Sequence, residues 1–571
     1  MGVIKAPSSP EAFQSATWEA VLPHYEELAA RPIDAGSVEA WLADWSHLES
    51  LLSEAGALVY FAYSIDTADP EAEAAQLRFG SDIAPKAHEQ RARLQARLVN
   101  LGYVRPGLET TVERFQNQTA LFSEANVPLY SELSRLTTQW SKVNGAMVVD
   151  WDGVEKTPAQ LLPLLEDPNR EVRERAFRAR AKPYLEQRDT LAHIFDEMYE
   201  LRQRVAANAG FDNFRDFTHR EKNRFNYWPD DCLRFHEAVE AAFLPAVRRV
   251  TDRRRGRLGV TRLRPWDMLV DPLGRPPLKP FHDINAFIRK AEGVLANVDP
   301  DFGAYFRRMA DGRLLNLENR KGKAPGAYSQ SLAFSKVPLI FMNAVGIDHD
   351  VRTLLHESGH ALHSFEASRQ PLVFQRHPGS EMAEVASISM ELLGAPFIDV
   401  EHGGYYTKDD AQRSHADLLE AILMFLPHCA SVDAFQHWIY LNPDGRDGSA
   451  RDRKWLEVRH RFEGETVDWS GLDAERVARW YQQPHFFSSP FYYIEYGIAQ
   501  LGALQIWRNS LRDGREAVAR YRAALALGAT RSLPDLLQTA GARLIFDAEG
   551  MKELVALVEA QLAKSESISF G

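Results

Sequence analysis

Val351 to Phe365 reads VRTLLHESGHALHSF, and it sets His356, Glu357 and His360 inside an apolar helical pattern. Val351, Leu354, Leu355, Leu362 and Phe365 recur at steps of three and four, which is the buried stripe of an amphipathic helix. Two histidines four apart on such a helix differ by only about 40° in direction, so both imidazoles can grip one metal ion. Glu357 lies one position along, beside the ion rather than on it. Two nitrogen ligands with a carboxylate placed to take a proton from activated water is the arrangement a zinc peptidase needs.

The flanks fit a helix start: Asp348 is an N-cap candidate and Asp350 falls in the first turn, where negative charge suits the positive end. His363 shares the face of the two histidines but sits about 10 Å up the axis from His356, too far to share an ion. Gly at 363 and His at 366 would extend the motif as in metzincins; the chain has His363 and Glu366 instead. A third ligand must therefore come from elsewhere. The next helix, SEMAEVASISMELLG from Ser380, offers Glu381, Glu384 and Glu391, and spacing alone leaves Glu381 and Glu384 both open.

The chain has 571 residues, enough for two or three domains, with 45% hydrophobic and 26% charged residues, ordinary for a globular protein. A formal net charge of -12 argues against nucleic acid as a partner. The run from Arg248 to Arg257 reads as a solvated helix terminus. Cys232 and Cys429, far apart and outside any CxxC pattern, support neither a disulfide framework nor a thiolate zinc site. The opening MGVIKAPSSPEAF lacks the apolar core of a signal peptide, Ala6 stands where myristoylation wants Ser or Thr, and no uninterrupted apolar run reaches membrane-spanning length. These readings lead to the expectation of a cytoplasmic protein without a membrane partner.

Residues 10–130 carry almost unbroken helical periodicity, with Trp18, Leu22, Trp41, Trp45, Leu48, Leu51 and Leu52 as core candidates and no repeat of fixed period. AMVVDWDGVEK at 146–156 reads as a short hairpin turning at Asp152-Gly153, after which Thr157-Pro158 opens a helix. A proline-rich loop spans 265–280. Strands are expected within 314–343, at Leu314 to Leu317, Ala327 to Phe334 and the apolar run VPLIFM from Val337. This sheet precedes the metal helix and could hold an extended peptide by its backbone. Downstream, PHFFSSPFYYIEYG places Ser489-Pro490 as a cap and first-turn proline, so helix is expected from Phe491, with His485 in the loop ahead and Tyr493 and Tyr496 one turn apart.

HESGHALHSF, EVASISMEL and HFFSSPFYYIEYG, in that order, resemble the thimet oligopeptidase family of zinc peptidases, most closely its oligoendopeptidase F branch. The resemblance runs from about residue 190 to the end and includes KAPGAYS at Lys323 and PLIFMN before the metal helix. It implies a mainly α fold, a helical two-lobed peptidase with a deep central channel and a small β-sheet beside the metal helix. It divides the chain into an N-terminal helical domain, 1–190, and a catalytic domain, 191–571. It also implies one zinc ion on His356, His360 and Glu384, with Glu357 as the base. The shared Glu-Val pair, followed by Ser387 and Glu391, selects Glu384. His485, Tyr493 and Tyr496 match the residues placed over the scissile carbonyl, with Tyr496 as the main oxyanion donor; Gly326, Ala327, Tyr328 and Tyr492 would hold substrate. The local spacing is one residue shorter than in thimet oligopeptidase itself, and Ser489 replaces a further tyrosine of that branch.

The function implied is endopeptidase cleavage of oligopeptides. A peptidyl-dipeptidase or carboxypeptidase on the related channel fold shares the zinc residues and would differ in needing a free substrate carboxylate. A peptide-binding scaffold without turnover is expected to lose Glu357 or a ligand, and this chain keeps them all.

Overall fold

The computed structural model describes residues 7–568, so the reading on Ala6 and the first six residues of the opening stretch lie outside the described residues. Helices dominate, and among the described residues two small sheets complete the fold. Trp41, Trp45, Leu48, Leu51 and Leu52 are buried on the long helix Val38–Ile65 in a core built from residues 13–115 plus Leu372; Leu22 is half-buried at its margin. A second, larger core runs from Leu129 to Leu562. The smaller core thus ends at Phe115 and the larger begins at Leu129. Leu136, Trp140, Leu191 and Ile194 join the larger core, although nothing in the composition of these charged helices marks the change.

The hairpin forms as read, with β1 (Val149–Trp151) antiparallel to β2 (Val154–Lys156). Its turn places Asp152 at φ 54° and Gly153 at φ 81°, the paired positive angles of a tight hairpin turn. Past Thr157, the chain makes a 3₁₀ turn over Ala159–Glu166, with the Thr157 hydroxyl accepting from the Gln160 amide. The basic run ends the helix Pro229–Leu258, but it is not wholly solvated: Arg254 is buried and donates to the Asp267 carbonyl.

Three strands form the sheet beside the metal helix: β3 (Leu315–Glu318), β4 (Tyr328–Leu332) and β5 (Val337–Ala344), in the order β3-β5-β4. The apolar run makes β5 central, parallel to β3 and antiparallel to β4. Leu339, Ile340 and Phe341 are fully buried, contributing about 1.5–3 kcal/mol each. Consequently β4 is an edge strand. Beneath it the buried Lys323 ammonium donates to Asn316 Oδ1, the Glu318 carbonyl and the Met342 carbonyl at 2.8, 2.9 and 2.6 Å, tying β3 and β5 to the loop that enters β4.

From Ala344 the chain enters the helix Asp348–Ala367 within four residues. Its N-cap is Ile347, not Asp348. Asp350 does the capping from the third helical position, its Oδ2 accepting the amides of Val345, Gly346 and Ile347 at 2.8, 2.7 and 3.0 Å. Asp348 turns into the core, where Tyr406 donates to it at 2.7 Å. The following helix, Ser380–Gly394, lies directly against the metal helix. Lys408–Leu441 is long and apolar enough to span a membrane by composition, with mean hydropathy 1.5, yet 67% of that window is buried inside the protein as a core helix would be.

The downstream motif departs from its expectation. Pro484–Ser488 is a short helix that contains His485, Ser489 follows its end, and the next helix begins at Tyr493. Between them Phe491 adopts φ 59°, with its amide donating to Gln436 Oε1 at 2.8 Å and its carbonyl accepting from Arg224 at 2.5 Å. Those tertiary bonds interrupt the helix that Ser489-Pro490 would otherwise start. Cys232 and Cys429 are free and buried.

Candidate active site

One cleft of about 510 Å³ is lined by His356, Glu357, His360, Glu384, His485 and Tyr496, with the loop and strand from Gly326 to Ser331 on its wall. The motif helix supplies the two imidazoles as its periodicity requires. Their rings stand 5.0 Å apart and nearly perpendicular. Glu384 Oε2 lies 3.3 Å from His356 Nε2 and 3.5 Å from His360 Nε2. Donors bound to one zinc ion at ~2.0–2.1 Å in a tetrahedron are about 3.3–3.4 Å apart, so this set fits such an ion.

What brings Glu384 there is Gly359. A Cβ at that position would sit 2.5 Å from Ser387 Cα and 2.6 Å from the Ala386 carbonyl oxygen, so glycine allows the two helix backbones to touch. Glu381, left open by spacing, is engaged elsewhere: it accepts from Tyr227 at 2.7 Å and faces Arg224. Glu384 is held by Ser387, which donates to Oε2 at 3.0 Å, and by Tyr492, which donates to Oε1 at 2.6 Å. His356 donates from Nδ1 to Glu391 Oε1 at 2.8 Å, which leaves its Nε2 lone pair facing Glu384. Glu391 lies two turns beyond Glu384 on the same face, so helical spacing carried a signal that it could join the site; its bond to His356 depends on how the helices pack.

Glu357 is buried, and its Oε2 has no hydrogen-bond partner. Burial raises its pKa, opposed by His356 and His360. On the facing wall Tyr496 Oη is 3.3 Å from His485 Nε2, and the Gln483 amide nitrogen is 3.0 Å from His485 Nδ1. Burial pushes the His485 pKa down to about 4, so the ring is neutral above that pH. With Gln483 donating to Nδ1, the ring proton sits on Nε2 and points to the Tyr496 oxygen, leaving the phenol proton free. Burial raises the Tyr496 phenol well above its ordinary value, so it stays protonated.

Tyr493 does not line this cleft. It sits edge-on behind His485, ring centres 5.0 Å apart, and lines an adjoining cavity of about 330 Å³ with His349, Glu391 and Gln500. Tyr492 does line the cleft, but its hydroxyl is directed at Glu384. His363 is on the cleft wall, outside the metal-donor group. Gly326, at φ 93°, and Ala327 lead into β4, and Asn343 holds the loop by donating to the Gly326 carbonyl at 2.9 Å. Tyr328 stacks on Phe341 with ring centres 5.0 Å apart.

The family model described as Peptidase family M3 matches residues 163–556, and that of the Peptidase M3 N-terminal domain matches 9–105. Oligopeptidase PepF of Bacillus subtilis (strain 168) is 24% identical over 441 residues, which cover 75% of this chain and 62% of that protein. An oligoendopeptidase F homolog of Lactococcus lactis subsp. lactis (strain IL1403) is 26% identical over 261 residues, 46% of this chain and 41% of that one. The chain thus spans less than two thirds of the length of these relatives. The solved structure of PZ peptidase A with inhibitor 2 superposes with a TM-score of 0.89 at 26% identity, covering 99% of this chain and 98% of that one.

Proposed function

The chain belongs to peptidase family M3, and from that membership we propose that it is a zinc-dependent endopeptidase cleaving internal bonds of oligopeptides. His356, His360 and Glu384 would hold one ion. Bound there, zinc supplies a Lewis acid that polarises the peptide carbonyl and makes water acidic enough to attack at neutral pH. Glu357 takes the proton from the attacking water through Oε2 and delivers it to the leaving nitrogen. Tyr496 donates its free phenol proton to the developing oxyanion, and His485 orients that phenol through Nε2. Tyr492 steadies Glu384, and Tyr493 packs behind His485.

The observation that carries this reading is the unpartnered, buried Oε2 of Glu357 in the same cleft as the three-donor set. The edge strand β4 on the wall would receive an extended peptide through backbone bonds, which carry little sequence information. Two buried free thiols suit a reducing compartment, the cytoplasm.

Glu357→Gln tests the reading, with His360→Ala beside it. The first should keep its zinc and lose nearly all turnover; the second should lose zinc as well. An active Glu357→Gln variant would remove the proposed base. Amidated and free peptides separate the internal cutter from an exopeptidase: equal cleavage of both is expected, and cleavage restricted to free C-termini would replace the endopeptidase assignment.

A further inference from the structure

A second convergence of metal-ligating side chains lies where the helix Pro229–Leu258 crosses Lys408–Leu441, and it shares no residue with the cleft. Cys232, Asp433 and His437 each present one donor atom within 4.8 Å of the others, and all three residues are buried. Asp433 and His437 are four apart on one helix, the same spacing that pairs His356 with His360. His437 Nε2 is 3.3 Å from Asp433 Oδ2, and His236, one turn after Cys232, donates to that oxygen from Nε2 at 2.8 Å.

We infer that Cys232, Asp433 and His437 form a second, structural site for a zinc-class divalent cation, with His236 orienting the carboxylate. A thiolate, a carboxylate and an imidazole together suit a borderline-soft ion. Asp433 Oδ1 and His437 Nδ1 are buried with no hydrogen-bond partner among the described residues. Burying such an orphan without a partner is costly, and a cation at the carboxylate removes one of them. On binding, the Cys232 thiol releases its proton to solvent, and the resulting thiolate with the Asp433 carboxylate balances the two positive charges. The neighbouring Arg224 does not provide that balance, since its guanidinium is paired with Glu495 at 2.7 Å and with the Phe491 carbonyl.

The site also has a mechanical address. The His437 ring packs against Phe491, ring centres 5.6 Å apart, and its neighbour Gln436 accepts the Phe491 amide. An ion here would stiffen the base of the turn that leads into Tyr492 and Tyr496.

Because the site is closed, metal should enter as the chain folds, so the test uses protein expressed in cobalt-enriched minimal medium. The cleft donors contain no sulfur, and Cys429 is the one other cysteine, so a near-ultraviolet thiolate-to-cobalt band in a Cys429→Ser background reports Cys232. The expected result is about two ions per chain, with the band present in the unaltered chain, in Cys429→Ser and in His360→Ala. Cys232→Ser should lose the band and one ion. An unaltered chain holding about one ion with no such band overturns the inference and leaves the cleft reading standing. A band that survives Cys232→Ser but vanishes in Cys429→Ser overturns the ligand assignment. A chain that keeps the band yet holds one ion, with His360→Ala unchanged in metal, supports the second site and counts against the cleft.

Discussion

Tyr492, the N-cap residue, donates a 2.6 Å hydrogen bond to Glu384 Oε1, whereas Tyr496, in the first turn of the helix that follows, keeps its hydroxyl 3.3 Å from His485. Two adjacent phenols in one cleft therefore have different partners. Tyr492→Phe should loosen metal retention by roughly 10–100-fold, read by chelator competition. Tyr496→Phe should lower kcat on the order of 100-fold with little change in KM, and Tyr493→Phe should leave turnover near normal. A crippled Tyr493→Phe beside a normal Tyr496→Phe would reassign the donor.

Glu391 fixes the His356 ring from behind, with Nδ1 donating at 2.8 Å. Glu391→Gln should cost roughly 10–100-fold in zinc affinity while the fold survives. Thermal unfolding with excess zinc checks that the fold is intact. Unchanged zinc affinity would mean that the ring is held by packing alone.

Gly359 and Gly256 are both helical, yet a side chain at each meets opposite surroundings. At Gly359 it would strike the neighbouring helix backbone, and Gly359→Ala should destabilise by about 1–3 kcal/mol and weaken metal binding. Around Gly256 nothing lies within 4 Å of an added Cβ, and Gly256→Ala should stabilise by about 0.5–1 kcal/mol. Denaturant titration of the pair settles the contrast, and equal effects would contradict the close helix contact.

For His485 the folded pKa is about 4, pushed down mainly by burial, with Glu384 opposing and Lys222 assisting. Its ordinary value is near 6.5, so between those two pH values the unfolded chain binds the extra proton. The contribution is intact above about pH 6.5 and is lost as pH falls toward 4. His485→Gln should shrink the loss of unfolding free energy between pH 7 and 4 by on the order of 3 kcal/mol at most. Identical losses in both chains would show that His485 titrates normally in the fold. Activity should show no limb from His485 between pH 5 and 8.

The motif helix was legible because its chemistry and its apolar stripe coincide in a single stretch. So were the hairpin at Asp152-Gly153 and the buried strand β5, where local residue types decide the outcome. The turn at Phe491 was not, because its conformation depends on Gln436 and Arg224, 55 and 267 residues away. Asp348 looked like a cap by type, but Asp350 took the three free amides and left Asp348 to Tyr406. Glu384 and Glu381 were indistinguishable by spacing; Gly359 sets the helix contact that brings Glu384 to the histidines, and sequence shows the glycine without showing what it touches.

The edge strand β4 lines the cleft that holds the three-donor set, and its partner β5 runs into the helix that bears the two histidines. Its five residues reach about 17 Å, so a peptide laid along it would be gripped over a span of about five residues. Length would then set what is tolerated. Shaving residues from within that span should depress kcat/KM step by step, while residues beyond it should matter little. Digests would carry that limit as a shortest fragment that is cut no further.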